Sequence, residues 1–173
     1  MASRGTPVSG NSDHSCGLAP VSGPAPRILI LGSFPSQKSL QYSQYYGNPQ
    51  NQFWKIMEVL CGIDATLPYS ERISRVRDAG IALWDVVGSC TRPGSADARI
   101  SAENFNDIAG FVQARPTLRL IVLNGCTAGR FYARIAAGIP VPAVVLPSTS
   151  PAYAAMSRED KVRHWSVLEA SLQ

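Results

Sequence analysis

Charged side chains are scarce in this chain of 173 residues, since Asp, Glu, Lys and Arg make up only 16% of it. A typical globular protein has about a quarter. The hydrophobic fraction of 45% is nevertheless enough for a sizeable core and excludes wholesale disorder. The net charge of +4 mildly favours a polyanionic partner. The length fits one domain, with at most a tail beside it.

Metal-binding and membrane signatures are also missing. The four cysteines form no CxxC pair and only two histidines accompany them, which argues against a zinc finger, a zinc ribbon or an iron–sulfur cluster. No apolar run approaches the roughly 18 residues of a membrane span, so we expect no membrane segment. The first residues lack the apolar core of a secretory signal, and we therefore expect reduced cytosolic thiols.

The common catalytic and nucleotide-binding loops are absent as well. There is no GxGxxG and no Gly-Lys-Ser/Thr, so the dinucleotide and P-loop interpretations fail. There is no GxSxG elbow, and neither His14 nor His164 follows a predicted strand, which argues against a Ser-His-Asp triad.

Short apolar runs alternate with segments of helical spacing along the chain. Residues 1–26, rich in Ser, Gly, Pro and Ala, are predicted to be a flexible tail, and residues 27–173 a single domain. The alternation predicts a parallel sheet covered by helices on both faces. The predicted strands are 28–31, 81–87, 118–123 and 141–146, and the predicted helices are 53–60, 70–79, 104–115, 127–137 and 157–172.

Each polar, turn-rich segment follows a predicted strand. These segments are 33–51, 88–101, 124–126 and 147–153. Ligands of parallel α/β sheets bind at the carboxyl ends of the strands. The four loops are therefore predicted to build the functional site.

Several residues of these loops have two interpretations. Tyr45 and Tyr46 suit stacking on a flat heterocycle but could equally be core aromatics. Asn124 could cap the next helix or contact a ligand. The hydroxyls of residues 148–150 could hold a phosphate or belong to a rigid turn.

Asp85 and Asp97 are the acidic residues best placed for catalysis, but each also has a structural interpretation. Asp85 lies inside a predicted strand and is interpreted as a hydrogen-bonded structural acid, while Asp97 is expected to pair with Arg92 or Arg99. The two arginines could also touch a DNA backbone.

Four segments in this order resemble the uracil-DNA glycosylase superfamily, most closely its hypoxanthine-DNA (deoxyinosine) glycosylase branch. The segments are GSFPS…QYYGNPQNQFW, LWDVVGSCTRPGSAD, IVLNG and LPSTSPAYA. The resemblance covers about residues 27–173. It implies a three-layer αβα sandwich with a central four-stranded parallel sheet. It also implies a monofunctional glycosylase without metal or cofactor, which flips a deaminated base out of DNA and hydrolyses its N-glycosidic bond.

The resemblance also implies roles for individual residues. The first motif, Gly32, Ser33, Phe34 and then Ser36, lies beside base and sugar. Phe34 stands where uracil and mismatch enzymes carry a polar residue that handles the attacking water, which fits the hypoxanthine branch. By the same resemblance, Tyr46 stacks on the base, Asn124 reads the base edge, and Asn51, or else Asn48, is the catalytic amide. The loop that binds the DNA phosphate is matched by Ser148, Thr149 and Ser150. Tyr153 is the candidate for filling the space that the flipped base leaves in the stack.

The expected partner is therefore DNA, double- or single-stranded, that contains a deaminated base. We expect a monomer in a bacterial-type cytoplasm, associated with the nucleoid. Two other functions stay open: a uracil- or mismatch-directed glycosylase of the same fold, and a DNA-binding module without catalytic activity.

Overall fold

A parallel sheet of four strands forms the centre of the molecule. The computed structural model describes residues 14–173, apart from the side chain of Ala102. The strands are β2 (Ile28–Gly32), β3 (Ile81–Asp85), β6 (Leu120–Asn124) and β7 (Ala143–Leu146), in the order β3-β2-β6-β7. Residues 28–31 are fully buried, as a continuous apolar run in a central strand requires. The predicted parallel sheet is confirmed.

Helices cover both faces of this sheet. One face carries α2 (Phe53–Cys61), α3 (Tyr69–Asp78), α6 (Arg158–Trp165) and α7 (Val167–Leu172), which bury Phe53, Val76, Trp165 and Leu168 against it. The other face carries α4 (Ile108–Gln113) and α5 (Cys126–Ala133), which bury Ile108 and Tyr132. The three-layer α/β architecture is therefore confirmed.

A second, antiparallel sheet lies beside the first, and the sequence analysis missed it. Its strands are β1 (His14–Cys16), β4 (Val87–Thr91) and β5 (Ser101–Phe105), in the order β1-β4-β5. The prediction of a loop over 88–101 was thus wrong for β4. The helix predicted over 104–115 is shorter, because β5 occupies its first residues and the Asp107 carboxylate caps α4 by accepting from the Gly110 amide at 2.8 Å.

The segment before Arg27 is packed against the domain from residue 14 onward. Val21 forms a bridge to Leu83 of β3, with both backbone hydrogen bonds at 2.8 Å, and its side chain is buried. The Gly17 amide donates to the Gly88 carbonyl at 2.7 Å. The flexible-tail prediction therefore does not hold for residues 14–26, because Val21 buries apolar surface and the backbone finds partners there. Residues 1–13 of the predicted tail lie outside the described residues.

The remaining differences concern helix boundaries. A short helix, α1 (Gln37–Tyr42), lies inside the loop predicted over 33–51, and the Ser36 hydroxyl caps it by accepting from the Ser39 amide. The helix predicted over 157–172 is interrupted at Ser166. Its predicted N-cap, Ser157, is confirmed, since the hydroxyl accepts from the Asp160 amide at 3.1 Å.

Candidate active site

The carboxyl ends of the four parallel strands open into one cavity of about 740 Å³. The loops that follow the strands line it, as the strand-end rule predicts. Of the candidate residues, all except Asn48 line this cavity: Gly32, Ser33, Phe34, Ser36, Tyr46, Asn51, Asn124, Ser148, Thr149, Ser150 and Tyr153.

Tyr46 reaches the cavity from the loop before α2. Its backbone is in the left-handed region at φ 54°, and its ring stacks on Phe53 with the centroids 3.8 Å apart. Burial and the nearby Asp85 carboxylate raise the pKa of Tyr46, and the Asn124 side chain offsets part of the rise. Tyr46 is therefore a neutral hydroxyl at neutral pH. Because Phe53 covers one face of the ring, a base could stack only on the other.

Asn51 lies at the entrance of α2. Its Oδ1 accepts from the Phe53 amide at 2.9 Å in the turn that leads into the helix, while its backbone amide donates to the Asn48 carbonyl. The two N–H groups of the Asn51 carboxamide remain as donors. The Asn48 side chain accepts from the Gln50 amide at 3.1 Å, outside the cavity lining.

Asn124 ends β6 and ties that strand to the loop after β7. Its Nδ2 donates to Thr149 Oγ1 at 2.9 Å, and its Oδ1 accepts from the Thr149 amide at 3.0 Å. The cap interpretation of Asn124 is wrong, since α5 starts behind Gly125 without a side-chain cap. One N–H and one lone pair of the carboxamide are left for a ligand.

The hydroxyl loop, residues Ser148–Ser150, is held by its own hydrogen bonds. Ser148 Oγ accepts from the Ser150 amide, and Ser150 Oγ accepts from the Ala152 amide, each at 3.2 Å. Both serines keep their O–H as a donor, whereas Thr149 is fully buried and bonded to Asn124. The loop is therefore a rigid turn, and its free serine hydroxyl groups are also available to bind a phosphate.

Tyr153 lies beyond this loop and is 39% exposed. The buried Lys161 of α6 donates to the Tyr153 carbonyl at 2.8 Å, and its ammonium lies 5.1 Å from the centre of the Tyr153 ring. Trp165 fixes the start of the loop by donating to the Pro147 carbonyl at 2.9 Å. Helix α6 therefore holds an exposed aromatic ring at the edge of the cavity.

The loop that follows β2 places the apolar side chain of Phe34 in the cavity wall, at the position where uracil enzymes carry a polar residue. The Phe34 ring is buried against Val87 and Cys90, and the Arg92 guanidinium lies 4.9 Å from its centre. Ser33 is also buried and donates to Asp97 at 2.5 Å. Phe34 supplies this part of the cavity with no group that could hold a water molecule.

Comparison with known proteins decides the family. The family model of the uracil DNA glycosylase superfamily matches residues 19–171. The chain belongs to the uracil DNA glycosylase superfamily.

Individual relatives of this superfamily member agree with that assignment. A Methanosarcina acetivorans protein named hypoxanthine DNA glycosylase is 40% identical over 126 residues, 72% of this chain and 79% of its own. A protein of the same name from Methanosarcina barkeri is 34% identical over 116 residues, 66% of this chain and 73% of its own. Both support the resemblance to the hypoxanthine branch.

A solved structure resembles the whole fold. It is a solution NMR structure of a Methanosarcina acetivorans protein assigned as a uracil DNA glycosylase. It superposes with a TM-score of 0.82 at 35% identity and covers 92% of this chain and 98% of its own. The predicted superfamily fold is confirmed.

The cavity of this superfamily member also contains an acidic group that the sequence analysis misjudged. Asp85 is the last residue of β3, is 5% exposed and lines the cavity, and its Oδ2 has no hydrogen-bond partner among residues 14–173. The interpretation of Asp85 as a hydrogen-bonded structural acid is therefore wrong. The available signal was its position, because a carboxyl group at the end of a buried parallel strand lies at the binding edge.

Asp97 and Arg92 complete this acidic side of the cavity. Arg92 is buried, donates to the Pro35 carbonyl at 2.5 Å, and lies 3.7 Å from Asp97. The predicted pairing of Asp97 with Arg92 is confirmed. Burial raises the pKa of Asp97, and the Ser33 hydrogen bond and Arg92 partly offset the rise.

Two absences concern the described part of the chain only. Within residues 14–173, no cluster of three His, Cys, Asp or Glu side chains could hold a metal ion. None of the helices found there has the length and apolarity that a bilayer crossing needs.

Proposed function

We propose that this chain is a monofunctional DNA glycosylase that hydrolyses the N-glycosidic bond of deoxyinosine and releases hypoxanthine in base excision repair. The observation that carries the proposal is the shared cavity, into which the Tyr46 ring and the carboxamides of Asn51 and Asn124 all open. Aromatic and carboxamide groups are suited to holding a flipped base by its face and its edge. The names of the two relatives support the same substrate.

The base would be bound by the lining of the inner cavity. Tyr46 would stack on it with the ring face opposite Phe53, and the free N–H and lone pair of Asn124 would pair with its edge. Gly32, Ser33 and Phe34 would form the wall beside base and sugar.

Asn51 would direct the attacking water. Cleavage passes through an oxocarbenium-like sugar while the departing base takes up negative charge, and the 6-oxo ring of hypoxanthine delocalises that charge. A carboxamide cannot take a proton, but its N–H groups can orient water or stabilise the base. One such preorganised donor is worth roughly 3 kcal/mol. Asn48 stands as the alternative, outside the cavity lining.

The DNA backbone would be held at the mouth of the cavity. The free O–H groups of Ser148 and Ser150, with Ser36, would donate to phosphate oxygens. Thr149 would act indirectly, by fixing the loop through Asn124. Tyr153 would fill the space that the flipped base leaves in the stack.

The buried Phe34 favours hypoxanthine over uracil as the substrate. In uracil and mismatch enzymes a polar residue at this position handles the attacking water, and the buried Phe34 side chain cannot do so. The alternative, a uracil- or mismatch-directed glycosylase, is supported by the solved relative assigned as a uracil DNA glycosylase.

A single-turnover panel tests the proposal. Purified protein is incubated with matched duplexes that carry deoxyinosine, deoxyxanthosine or deoxyuridine, and abasic product is cleaved with alkali and counted. We expect the fastest release from the inosine duplex. A uracil rate well above the inosine rate would favour the alternative enzyme. No abasic product from any duplex, with salt-dependent DNA binding, would indicate a binding module.

We further propose that the protein acts as a monomer, needs no metal or cofactor, and works on the nucleoid in the cytoplasm. Hydrolysis of an N-glycosidic bond uses only water as co-reactant, and genomic DNA is the proposed substrate. Full activity in the presence of a chelator, and a mass of one chain in solution, are the expected results.

A further inference from the structure

The Asp85 carboxyl group lines the cavity, but none of the roles proposed above involves it. It is 5% exposed, and among the described residues its Oδ2 has no partner. Other carboxylates of the chain have structural tasks: Asp107 caps α4, and Asp64 accepts from the backbone and hydroxyl of Thr66. A buried polar atom without a partner lowers the stability of the fold. Because Asp85 also lines the cavity, its carboxyl group is available for a task in that cavity.

The neighbours of Asp85 keep its carboxyl group largely uncompensated. Arg92 is the closest source of positive charge, but it is directed at the Pro35 carbonyl and at Asp97. Asp97, Tyr45 and Tyr46 also face Asp85, and none of them supplies positive charge. Burial first, then the Asp97 charge, raise the pKa of Asp85 to about 7, with Arg92 acting against them. A carboxyl group in this state holds a proton at neutral pH that it can also give up.

Gly32 provides the space beside this carboxyl group. Gly32 of β2 and Asp85 of the neighbouring edge strand β3 are paired, and a Cβ added to Gly32 would lie 2.5 Å from Asp85 Oδ1. The Tyr46 hydroxyl lies 4.0 Å from the same point. Asp85 therefore borders on the wall and the ring between which the flipped base is proposed to sit.

We infer that Asp85, which lines the cavity, is a catalytic residue, the general acid that gives its carboxyl proton to N7 of the departing hypoxanthine. This inference rests on the proposed function. N7 belongs to the ring that carries the glycosidic nitrogen, so its protonation draws electrons away from the N9–C1′ bond. Uracil has no unprotonated ring nitrogen of this kind once it is attached to the sugar, so the device is specific to purines.

The step balances without any further reactant. The N9–C1′ bond breaks with its electron pair going to the base, and the Asp85 proton goes to N7, so hypoxanthine leaves as a neutral molecule. Water adds to C1′ and releases one proton, which restores the Asp85 carboxyl group. The net reaction is the hydrolysis of the nucleotide to hypoxanthine and an abasic site.

The test compares the unaltered chain with Asp85→Asn, which has nearly the same shape and no proton to give. The matched control is Asp78→Asn, an exposed carboxylate at the end of α3. On the inosine duplex we expect Asp85→Asn to slow single-turnover release by about 100-fold or more, and Asp78→Asn to leave it unchanged. Thermal unfolding and duplex binding identify any loss that is due to misfolding. Release by Asp85→Asn within threefold of the unaltered chain would overturn the inference.

Two measurements on the unaltered chain need no substitution. Since the protonated form is the active one, the release rate should be constant below pH 7 and fall as the pH rises above it, whereas a general base would give the opposite slope. Replacing deoxyinosine by 7-deaza-2′-deoxyinosine, which has carbon in place of N7, should abolish release. A rate that rises through pH 7, or undiminished release of the 7-deaza base, would overturn the inference. Absence of any hypoxanthine release by the unaltered chain would instead refute the proposed function.

Discussion

The hydroxyl loop and the acidic side of the cavity face the same space but use their polar atoms in opposite ways. In the hydroxyl loop, Ser148, Thr149 and Ser150 are held by bonds to one another's backbone and to Asn124. On the acidic side, Asp85 Oδ2 and two nitrogens of Arg92 are buried without hydrogen-bond partners in the described chain. A loop with satisfied hydrogen bonds is rigid and presents a fixed shape, whereas buried groups without partners lower stability and are typical of sites with another role.

This difference predicts which substitutions should affect the stability of the fold and which should affect catalysis. Substitutions in the hydroxyl loop should lower the free energy of unfolding and weaken DNA contact, and those on the acidic side should lower the rate of base release. The Asp85→Asn test described above has the largest expected effect. The three predictions that follow extend the same comparison to other parts of the cavity.

Asn51 is an exception to this comparison, because it is proposed to be catalytic although its Oδ1 already accepts from the Phe53 amide. Asn51→Ala should reduce single-turnover release by about 100-fold, as loss of a positioned donor does, and leave duplex binding within a few-fold.

Asn51→Asp separates the two roles, since a carboxylate accepts from the Phe53 amide as well as a carboxamide does but has no N–H to donate. We expect it to keep the melting temperature and lose the activity. Near-native rates in both variants would transfer the catalytic assignment to Asn124 or Asn48.

A substitution of Thr149 tests whether the hydroxyl loop contributes to the stability of the fold. Thr149→Val keeps the shape of the side chain but removes the acceptor of the Asn124 N–H, and we expect the free energy of unfolding to fall by about 1–3 kcal/mol. Denaturant titration measures this. Ser74→Ala, which removes an exposed hydroxyl group of α3, is the control and should change it by less than about 0.5 kcal/mol. Equal effects of the two substitutions would mean that the Asn124–Thr149 pair does not hold the loop.

Tyr153 has the smallest expected effect, because it is proposed to act on base flipping and not on bond cleavage. Tyr153→Ala should slow release from an inosine duplex by several-fold while leaving release from a single strand nearly unchanged, since a single strand has no stack to refill. Single-turnover assays on both substrates measure the ratio. An equal loss on both would assign Tyr153 to general DNA binding.

The sequence predicted the central sheet because its physical signal is strong. Residues 28–31 form a continuous apolar run, which only a strand buried on both faces needs, and the turn-rich segments after such strands mark the binding edge. The cavity lining by Tyr46, Asn51 and Asn124 follows from that rule together with the family motifs.

The antiparallel sheet could not be predicted in the same way. The residues of β4, Val87–Thr91, read VGSCT and show no clear alternation, and β1 is only three residues long. These strands form because they pair with each other, and a local sequence pattern contains no information about pairing between distant segments. Asp85 was misjudged for a related reason, since whether a carboxyl group finds a partner depends on side chains that are distant in sequence.

The bridge between Val21 and Leu83 has a practical consequence for anyone who trims this protein. Strand β3 lies at the outer edge of the parallel sheet, and Val21 occupies part of its free side. Removing everything before Arg27 would leave unpaired amide and carbonyl groups next to newly wetted apolar surface, which is the template on which separate molecules associate. A shortened chain should therefore precipitate more readily than the 173-residue chain, even though the loops that line the cavity are intact.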